Sequence, residues 1–400
     1  MKKTQKVRVE FRRNRNERTR DSDLTRQFQE HGFEEEKETQ AERIGGKGDM
    51  SRRRTVVGEL LRGDSEQRDG FEVVPKVDAD AVISGRVIRV HGASSEVRAD
   101  DGRIFSCVTR RILKTLSTKE RQPVVAGDRV LFRAANNCND NSTNNHNYSQ
   151  AAPATAYIEG MIERVEPRHG IISRESKHRK HVIVTNVDQV LIIASATQPA
   201  FKPNLIDRML IMSEKAGIKP IICINKVDLI ELFELQPLVG VYAQMGYEVI
   251  LSSVVSGLGI DRLRGKLRGC ESVIVGQSGV GKSSLLNAID SCLKLRVSEL
   301  GAEQKGKHTT TTAELLELSS GGYVVDTPGI RQFMLWDIIP EEVLGFFRDL
   351  RPYENFCHYP DCVHLHEEDC AIKNAVAEGR LDMRRYESYL AIRFEERYSR

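Results

Sequence analysis

The hydrophobic pattern divides the chain into four stretches. Over Met1 to about Val77 apolar residues are sparse and keep no sustained period, while Arg12, Arg13, Arg15, Arg18, Arg20 and Arg52-Arg53-Arg54 make the stretch basic. Such a composition cannot bury enough surface to offset chain entropy, so 1–78 is expected to be a disordered, charged extension. From Ala79 to about Ser173 the pattern turns to β. Ala81–Val90 is rich in β-branched residues, Ser95–Arg98 and Arg103–Val108 flank Asp100-Asp101-Gly102, and Ala126–Phe132 and Tyr157–Val165 supply further strands. Strands flanking such a turn read as a hairpin, and about five short strands with glycine turns suit a small β-barrel such as an OB-fold over 79–175. Asn136–Ala156, rich in Asn, Ser, Thr and Ala, reads as a loop between two of its strands.

Beyond this, apolar runs alternate with helical spacing. Asn186–Ala194, Ile221–Ile224, Tyr247–Ser253, Glu271–Val275 and Gly322–Val325 read as strands, whereas Asn204–Met212, the stretch opened by Gly257–Leu263, and Ser284–Ile289 read as helices. Alternation of this kind predicts a parallel, three-layer α/β domain, placed at 176–335 with its first strand beyond His181. The remainder, 336–400, ends in a helical pattern over Ile372–Tyr398, with Leu381, Tyr386, Tyr389, Leu390, Ile392 and Phe394 as candidates for a packed face.

Three motifs give the α/β domain its chemistry. Gly276-Gln277-Ser278-Gly279-Val280-Gly281-Lys282-Ser283, followed by Ser284, fits the phosphate-loop pattern and lies between a predicted strand and a predicted helix. Its glycines let backbone N–H groups face an anion at a helix N-terminus. Lys282 is placed to reach terminal phosphates, and the Ser283 hydroxyl to bind Mg²⁺. Asn225-Lys226-Val227-Asp228 follows an apolar strand, where open sheets bind ligands. The Asp228 carboxylate suits the paired donors of guanine, and adenine offers no such pair; this argues against an ATPase or kinase. Asp326-Thr327-Pro328-Gly329 ends the last strand, with Asp326 suited to Mg²⁺ through water and the Gly329 N–H to a γ-phosphate. Between them, Lys305–Thr312 carries His308 and four successive threonines with no core period, which suits a switch loop.

The order of the motifs is permuted: Asn225–Asp228 precedes the phosphate loop, which precedes Asp326–Gly329. In ordinary GTPases the phosphate loop comes first. With a barrel before the α/β domain and a Cys/His cluster after it, the chain resembles the RsgA (YjeQ) family of circularly permuted small-subunit biogenesis GTPases over about Ala79–Arg400. The resemblance implies an OB-fold used on RNA and a GTPase stimulated by the small ribosomal subunit and its rRNA. It also implies a switch at His308–Thr312 with Thr310 or Thr311 reaching Mg²⁺, and a base-contacting loop at Ser252 and Ser253. Ile330 stands where many GTPases carry a water-orienting Gln, so His308 is the candidate catalytic residue.

The cluster itself is Cys357, His358, Cys362, His364, His366 and Cys370. Three thiols and one histidine make a closed tetrahedral zinc site. By chemistry alone any of the three histidines serves; the family pattern selects Cys357, Cys362, His364 and Cys370. One Zn²⁺ per chain, Mg²⁺ with GTP or GDP, and a monomer are expected. Overall charge adds little, since 60 Lys+Arg against 57 Asp+Glu leaves +3, so any nucleic-acid surface must be local. No apolar run approaches the roughly 20 residues of a membrane span, and no apolar core follows the basic N-terminus as in a secretory signal. The metal cluster and scattered cysteines fit a reducing, cytoplasmic setting.

Overall fold

The computed structural model of the chain describes residues 5–10, 53–61, 72–75, 82–92, 94–110, 113, 123–134, 158–176, 179–295, 313–326 and 339–394. Two compact units emerge. The first holds the N-terminal strands and most of a barrel, and the second comprises Ile88–His91, Val125–Asp128 and Pro167–Arg400.

Within the first unit, β1 (Gln5–Glu10), β2 (Arg53–Leu61) and β3 (Glu72–Pro75) form an antiparallel sheet in that order. The composition of 1–78 predicts no strands. Each has only a brief β-branched pattern, and Gln5 pairs with Gly58, a separation that no local window reads.

Five further strands close on themselves: β4 (Ile83–His91), β5 (Ser94–Ala99), β6 (Ile104–Thr109), β7 (Arg129–Ala134) and β8 (Ile158–Val165), ordered β4-β5-β6-β8-β7 with β7 returning to β4. The β6–β8 pair is parallel, while β5–β6 and β7–β8 are antiparallel. Strict alternation on β5 sends Val97 and Ala99 inward. They join Val87, Phe105, Cys107, Val130, Phe132 and Ile162, all nearly inaccessible, and the rings of Phe105 and Phe132 meet edge to face at 4.8 Å. The predicted hairpin and strands are therefore present, whereas the loop predicted at Asn136–Ala156 lies outside the described residues.

A hairpin that the sequence pattern did not suggest, β9 (Ile172–Ser176) with β10 (Arg179–Val184), opens the main part of the second unit. The α/β sheet follows: β11 (Gln189–Ser195), β12 (Lys219–Asn225), β13 (Glu248–Leu251), β14 (Glu271–Gly276), β15 (Glu314–Glu317) and β16 (Tyr323–Asp326), ordered β13-β12-β11-β14-β16-β15. Every neighbouring pair is parallel except β15–β16. The chain runs outward from β11 to β13 and then returns to place β14 on the other side of β11. That reversal is a topological switch point, where such sheets open a crevice for ligands.

Alternation along β11 divides the core. Val190, Ile192 and Ala194 face a layer with Ile206, Met209 and Leu210 of α1 (Pro203–Lys215) and Leu238 and Tyr242 of α2 (Gln236–Gln244). Leu191 and Ile193 face the opposite layer, with Leu263 and Leu267 of α3 (Ile260–Leu267) and Leu285 and Ile289 of α4 (Lys282–Ile289). This is the three-layer arrangement that the apolar runs predicted.

After two 3₁₀ segments, Pro340–Phe346 and Arg351–Phe356, the chain ends in α5 (Ala371–Ala377) and α6 (Met383–Phe394). The single helical pattern expected from Ile372 is thus broken. Gly379, at φ +71°, donates to the Val376 carbonyl while Arg380 donates to Ala375, a left-handed helix stop suited to glycine. Val343, Leu344, Phe347, Leu350, Ile372, Tyr389 and Ile392 form a small core that also takes in Ile211 of α1. No helix among the described residues is long and apolar enough to cross a membrane.

One buried polar node in the second unit is Asp128, fully inaccessible. Its carboxylate accepts from both Nε and Nη2 of Arg168 at 2.7 and 2.8 Å, from Thr185 Oγ1 at 2.7 Å and from the Val125 N–H at 2.8 Å. Asp128→Ala removes two charged acceptors from the Arg168 guanidinium, itself only 12% exposed. The expected loss is about 3 kcal/mol of stability, measurable by urea unfolding.

Candidate functional site

The carboxyl ends of β12, β11 and β14 are level. Ser195 pairs with Asn225 on one side of β11, and Ile193 pairs with Gly276 on the other. The guanine-type motif and the phosphate loop therefore leave the sheet side by side, across the switch point. On the far side of β14, Val273 pairs with Val325, which places Asp326, the last residue of β16, at the same edge. Asn225, Gly276 and Asp326, each from a different motif, thus share one rim.

The phosphate loop needs glycine for steric reasons. Gly276 sits at φ +152°, and a Cβ there would lie 2.2 Å from the Ile193 carbonyl oxygen. Gly281 sits at φ +92°, and a Cβ there would lie 2.6 Å from Asn225 Nδ2. The second contact marks a direct tie: Asn225 Nδ2 donates to the Val280 carbonyl at 2.9 Å. The Ser252 hydroxyl donates to Asn225 Oδ1 at 3.2 Å and lies 3.2 Å from the buried Cys223 thiol. Lys226 takes a left-handed backbone, φ +63°, which sends its ammonium across to the Gln198 and Gly279 carbonyls at 2.6 and 2.8 Å. Lys282 Nζ donates to the carbonyls of Gly276 and Gln277 at 2.9 and 2.5 Å, so its ammonium lies over the loop that would hold phosphates.

Asp228 lies exposed in the 3₁₀ turn Val227–Leu229, directly beyond β12. Ser252 and Ser253 are both fully buried. The Ser253 hydroxyl accepts from the Ser256 N–H at 3.1 Å, so both hydroxyls brace their loop from within. Gln277, Ser278 and Gly279 form the crest of the phosphate loop, while Ser283 and Ser284 begin α4, half-buried. His308, Thr310, Thr311 and Gly329 lie outside the described residues. Gln198 and Cys223 carried no motif signal: one acts through its main-chain carbonyl, the other through a thiol inside an apolar run.

Elsewhere in the second unit, Cys357, Cys362, His364 and Cys370 converge, their ligand atoms all within 4.8 Å of one another. His364 Nδ1 lies 3.5 Å from Cys357 Sγ and 3.4 Å from Cys370 Sγ, and those two sulfurs are 4.0 Å apart. A tetrahedral ion with ordinary Zn–S and Zn–N lengths requires edges of about 3.8 Å between sulfurs and about 3.5 Å from sulfur to nitrogen. The donor set fits zinc, and His364 is the histidine it brings in. Burial pushes the Cys362 thiol up to about 12, raises Cys370, and lowers His364. Each shift favours the uncharged ligand, and a divalent cation reverses that preference for the thiols.

The loop is held by Glu367, which sequence inspection passed over as one acid among three. Its carboxylate accepts from the N–H groups of Val363, Leu365 and His366 at 2.9, 2.9 and 3.2 Å. Burial works against its charge, but these donors outweigh it and hold the carboxyl at about 2. His364 itself sits at φ +61°, a conformation a non-glycine residue keeps only where its surroundings enforce it.

Two outcomes test these sites. Asp228→Asn is expected to weaken GTP by several kcal/mol and to favour xanthine nucleotide, which offers a carbonyl where guanine has an amine. Unchanged GTP affinity in a binding titration removes Asp228 from base recognition. For the metal, elemental analysis of purified protein is expected to give about one zinc per chain, and the Cys362→Ala, Cys370→Ala double variant none.

Comparison with known proteins gives the geometry its context. A family model described as RsgA GTPase matches residues 165–336. The small ribosomal subunit biogenesis GTPase RsgA of Chlorobaculum tepidum is 38% identical over 319 residues, covering 78% of this chain and 97% of that protein. The protein of the same name from Shewanella oneidensis is 35% identical, covering 79% of this chain and 85% of its own length. Among solved structures, YjeQ from Thermotoga maritima matches with a TM-score of 0.61 at 31% identity, over 80% of this chain and all of that one. YloQ, a circularly permuted GTPase, matches with a TM-score of 0.58 at 28% identity, over 85% of this chain and all of that one. With the permuted motif order on one sheet rim and this extent of likeness, the chain belongs to the RsgA family of circularly permuted GTPases.

Proposed function

We propose that the protein hydrolyses GTP as an assembly factor for late maturation of the small ribosomal subunit, binding its rRNA and responding to it with faster hydrolysis. The observation that carries this is the tie between two motifs: Asn225 of the base-reading loop bonds to Val280 of the phosphate loop, across the switch point of a permuted sheet. Curated relatives named for small-subunit biogenesis support the target.

In this reading Asp228 accepts from guanine, and Lys226 and Asn225 hold the base loop against the phosphate loop. Backbone N–H groups of Gly276–Gly281 and the ammonium of Lys282 receive the phosphates. Ser283, with Thr310 or Thr311, would hold Mg²⁺, which offsets charge on the phosphates when bound. Asp326 would reach that Mg²⁺ through water, and the Gly329 N–H closes the γ-phosphate side. His308 orients the attacking water or offsets charge on the phosphoryl group, since Ile330 cannot hydrogen-bond water. The barrel order β4-β5-β6-β8-β7, closed and with its third and fifth strands parallel, supports an OB-fold that meets RNA. The C-terminal segment from 336 is a helical zinc-binding domain, and the protein acts as a cytoplasmic monomer.

GTP turnover is expected to rise on adding small subunits and to stay low with large subunits or no RNA. In His308→Ala most of the stimulated turnover is lost while GTP binding stays near normal, because the residue acts in the transition state. Stimulated turnover within about twofold of the parent, roughly 0.4 kcal/mol, removes His308 from the mechanism.

A further inference from the structure

The metal module and the nucleotide site share one helix, α1, and one buried ion pair joins them. Arg385 of α6 is 3% exposed and Asp207 of α1 is fully buried, and their charged groups are in direct contact. Arg385 also donates through Nε and Nη2 to Asp349 at 2.9 and 3.0 Å. Its guanidinium stacks over Phe347 at 4.4 Å. Tyr242 of α2 donates to Asp207 at 3.1 Å. Burial works against the Arg385 charge, but Asp207 and Asp349 outweigh it and keep it protonated.

On one side this pair leads to the metal loop. Arg385, Tyr386 and Tyr389 lie within a turn or so of one another on α6. Tyr386 donates to the main-chain carbonyl of His364 at 2.6 Å, and Tyr389 to that of Val363 at 3.4 Å. On the other side it leads to the phosphate loop. Leu205, Ile206 and Met209 of α1, within two residues of Asp207, line one small cavity together with Gly276, Gln277 and Val280.

The two-state element is the module itself. Its core is small, and in such modules metal-binding free energy is folding free energy. When the metal leaves, α6 loses its anchor on the His364 loop, and Arg385 is no longer held against Asp207. Burial raises the Asp207 carboxyl against the pull of Arg385, and a buried carboxylate that loses its guanidinium costs far more than a pair replaced by apolar groups. Relief of that cost by a turn of α1 would shift Ile206 and Met209, which line the same cavity as Gly276, Gln277 and Val280.

We propose that Arg385 is a positioning residue for the nucleotide site, making guanine-nucleotide affinity depend on metal occupancy through the buried charge of Asp207. This rests on the zinc and nucleotide assignments above. Linkage makes the effect reciprocal, so bound nucleotide must also slow metal loss.

The test is a titration with a fluorescent GDP analogue in excess Mg²⁺, on zinc-loaded protein and on protein stripped by a zinc-selective chelator. Near-ultraviolet circular dichroism follows the module. Stripped parent is expected to bind about tenfold more weakly, and saturating GDP to slow zinc release from loaded parent by a similar factor. The double variant Asp207→Leu, Arg385→Met has no charge to strand. It is expected to bind like the parent when loaded and to lose less than about twofold on stripping. The idea fails if stripped parent, its module shown to be unfolded, binds within about twofold of loaded parent, or if the double variant loses as much as the parent does. If the double variant does not fold, zinc release from the parent decides alone, and equal rates with and without GDP overturn the proposal. Loaded parent that binds no GDP overturns the nucleotide assignment and this inference together, whereas tight loaded binding without zinc dependence overturns only the inference.

Discussion

The side chain of Asn225 is the contact on which the nucleotide site depends. Its amide group donates to the phosphate loop at Val280, and its carbonyl accepts from Ser252 of the next loop. Three loops from three strands are fixed by one residue. Gly281 is glycine because that amide occupies the space where a Cβ would stand. Lys226, in a left-handed conformation beside it, adds a second crossing to Gly279. The Asn225 loop and the phosphate-loop motif are therefore fixed in spacing by the chain's own contacts, and preorganisation of this kind lowers the entropy cost of binding.

That dependence explains why circular permutation is tolerated. A parallel sheet keeps its pocket at the carboxyl ends of its strands, wherever the termini fall. In this chain the sheet begins with β11 and then β12, which leads to the base loop, and β14 with its phosphate loop inserts later on the other side of β11. The hydrogen bonds across the switch point do not register the order of synthesis. They require only that Ser195 face Asn225 and Ile193 face Gly276, which the ladders supply.

A second organising element lies in the same unit. The Cys/His cluster closes a loop whose main-chain N–H groups are gathered by Glu367 and whose carbonyls are held by Tyr386 and Tyr389. The helix carrying those tyrosines also carries Arg385, so the metal loop and the α/β layers meet through a charge pair and through Ile211. Division into separate α/β and metal segments follows the sequence pattern, yet Pro167–Arg400 packs as one compact unit.

The sequence alone determined the chemistry, because chemistry is written in local residue order. The phosphate loop, Asn225–Asp228 and Asp326–Gly329 are contiguous motifs, and β11, β12 and β14 are contiguous apolar runs, so all were legible. The candidate zinc ligands were legible as a cluster; residue chemistry left three histidines open, the family pattern chose His364, and the fold brings its Nδ1 against two thiols. Only the tertiary structure decided what long separations conceal. It paired Gln5 with Gly58 in a stretch too polar to suggest strands. It ended α5 at Gly379, where helical spacing continued without interruption. It also buried Asp207 against Arg385, two charges that look solvated in sequence and are 178 positions apart. Their burial is a property of the packed layers, and no periodicity in either segment encodes it, because each charge is affordable only in the presence of the other.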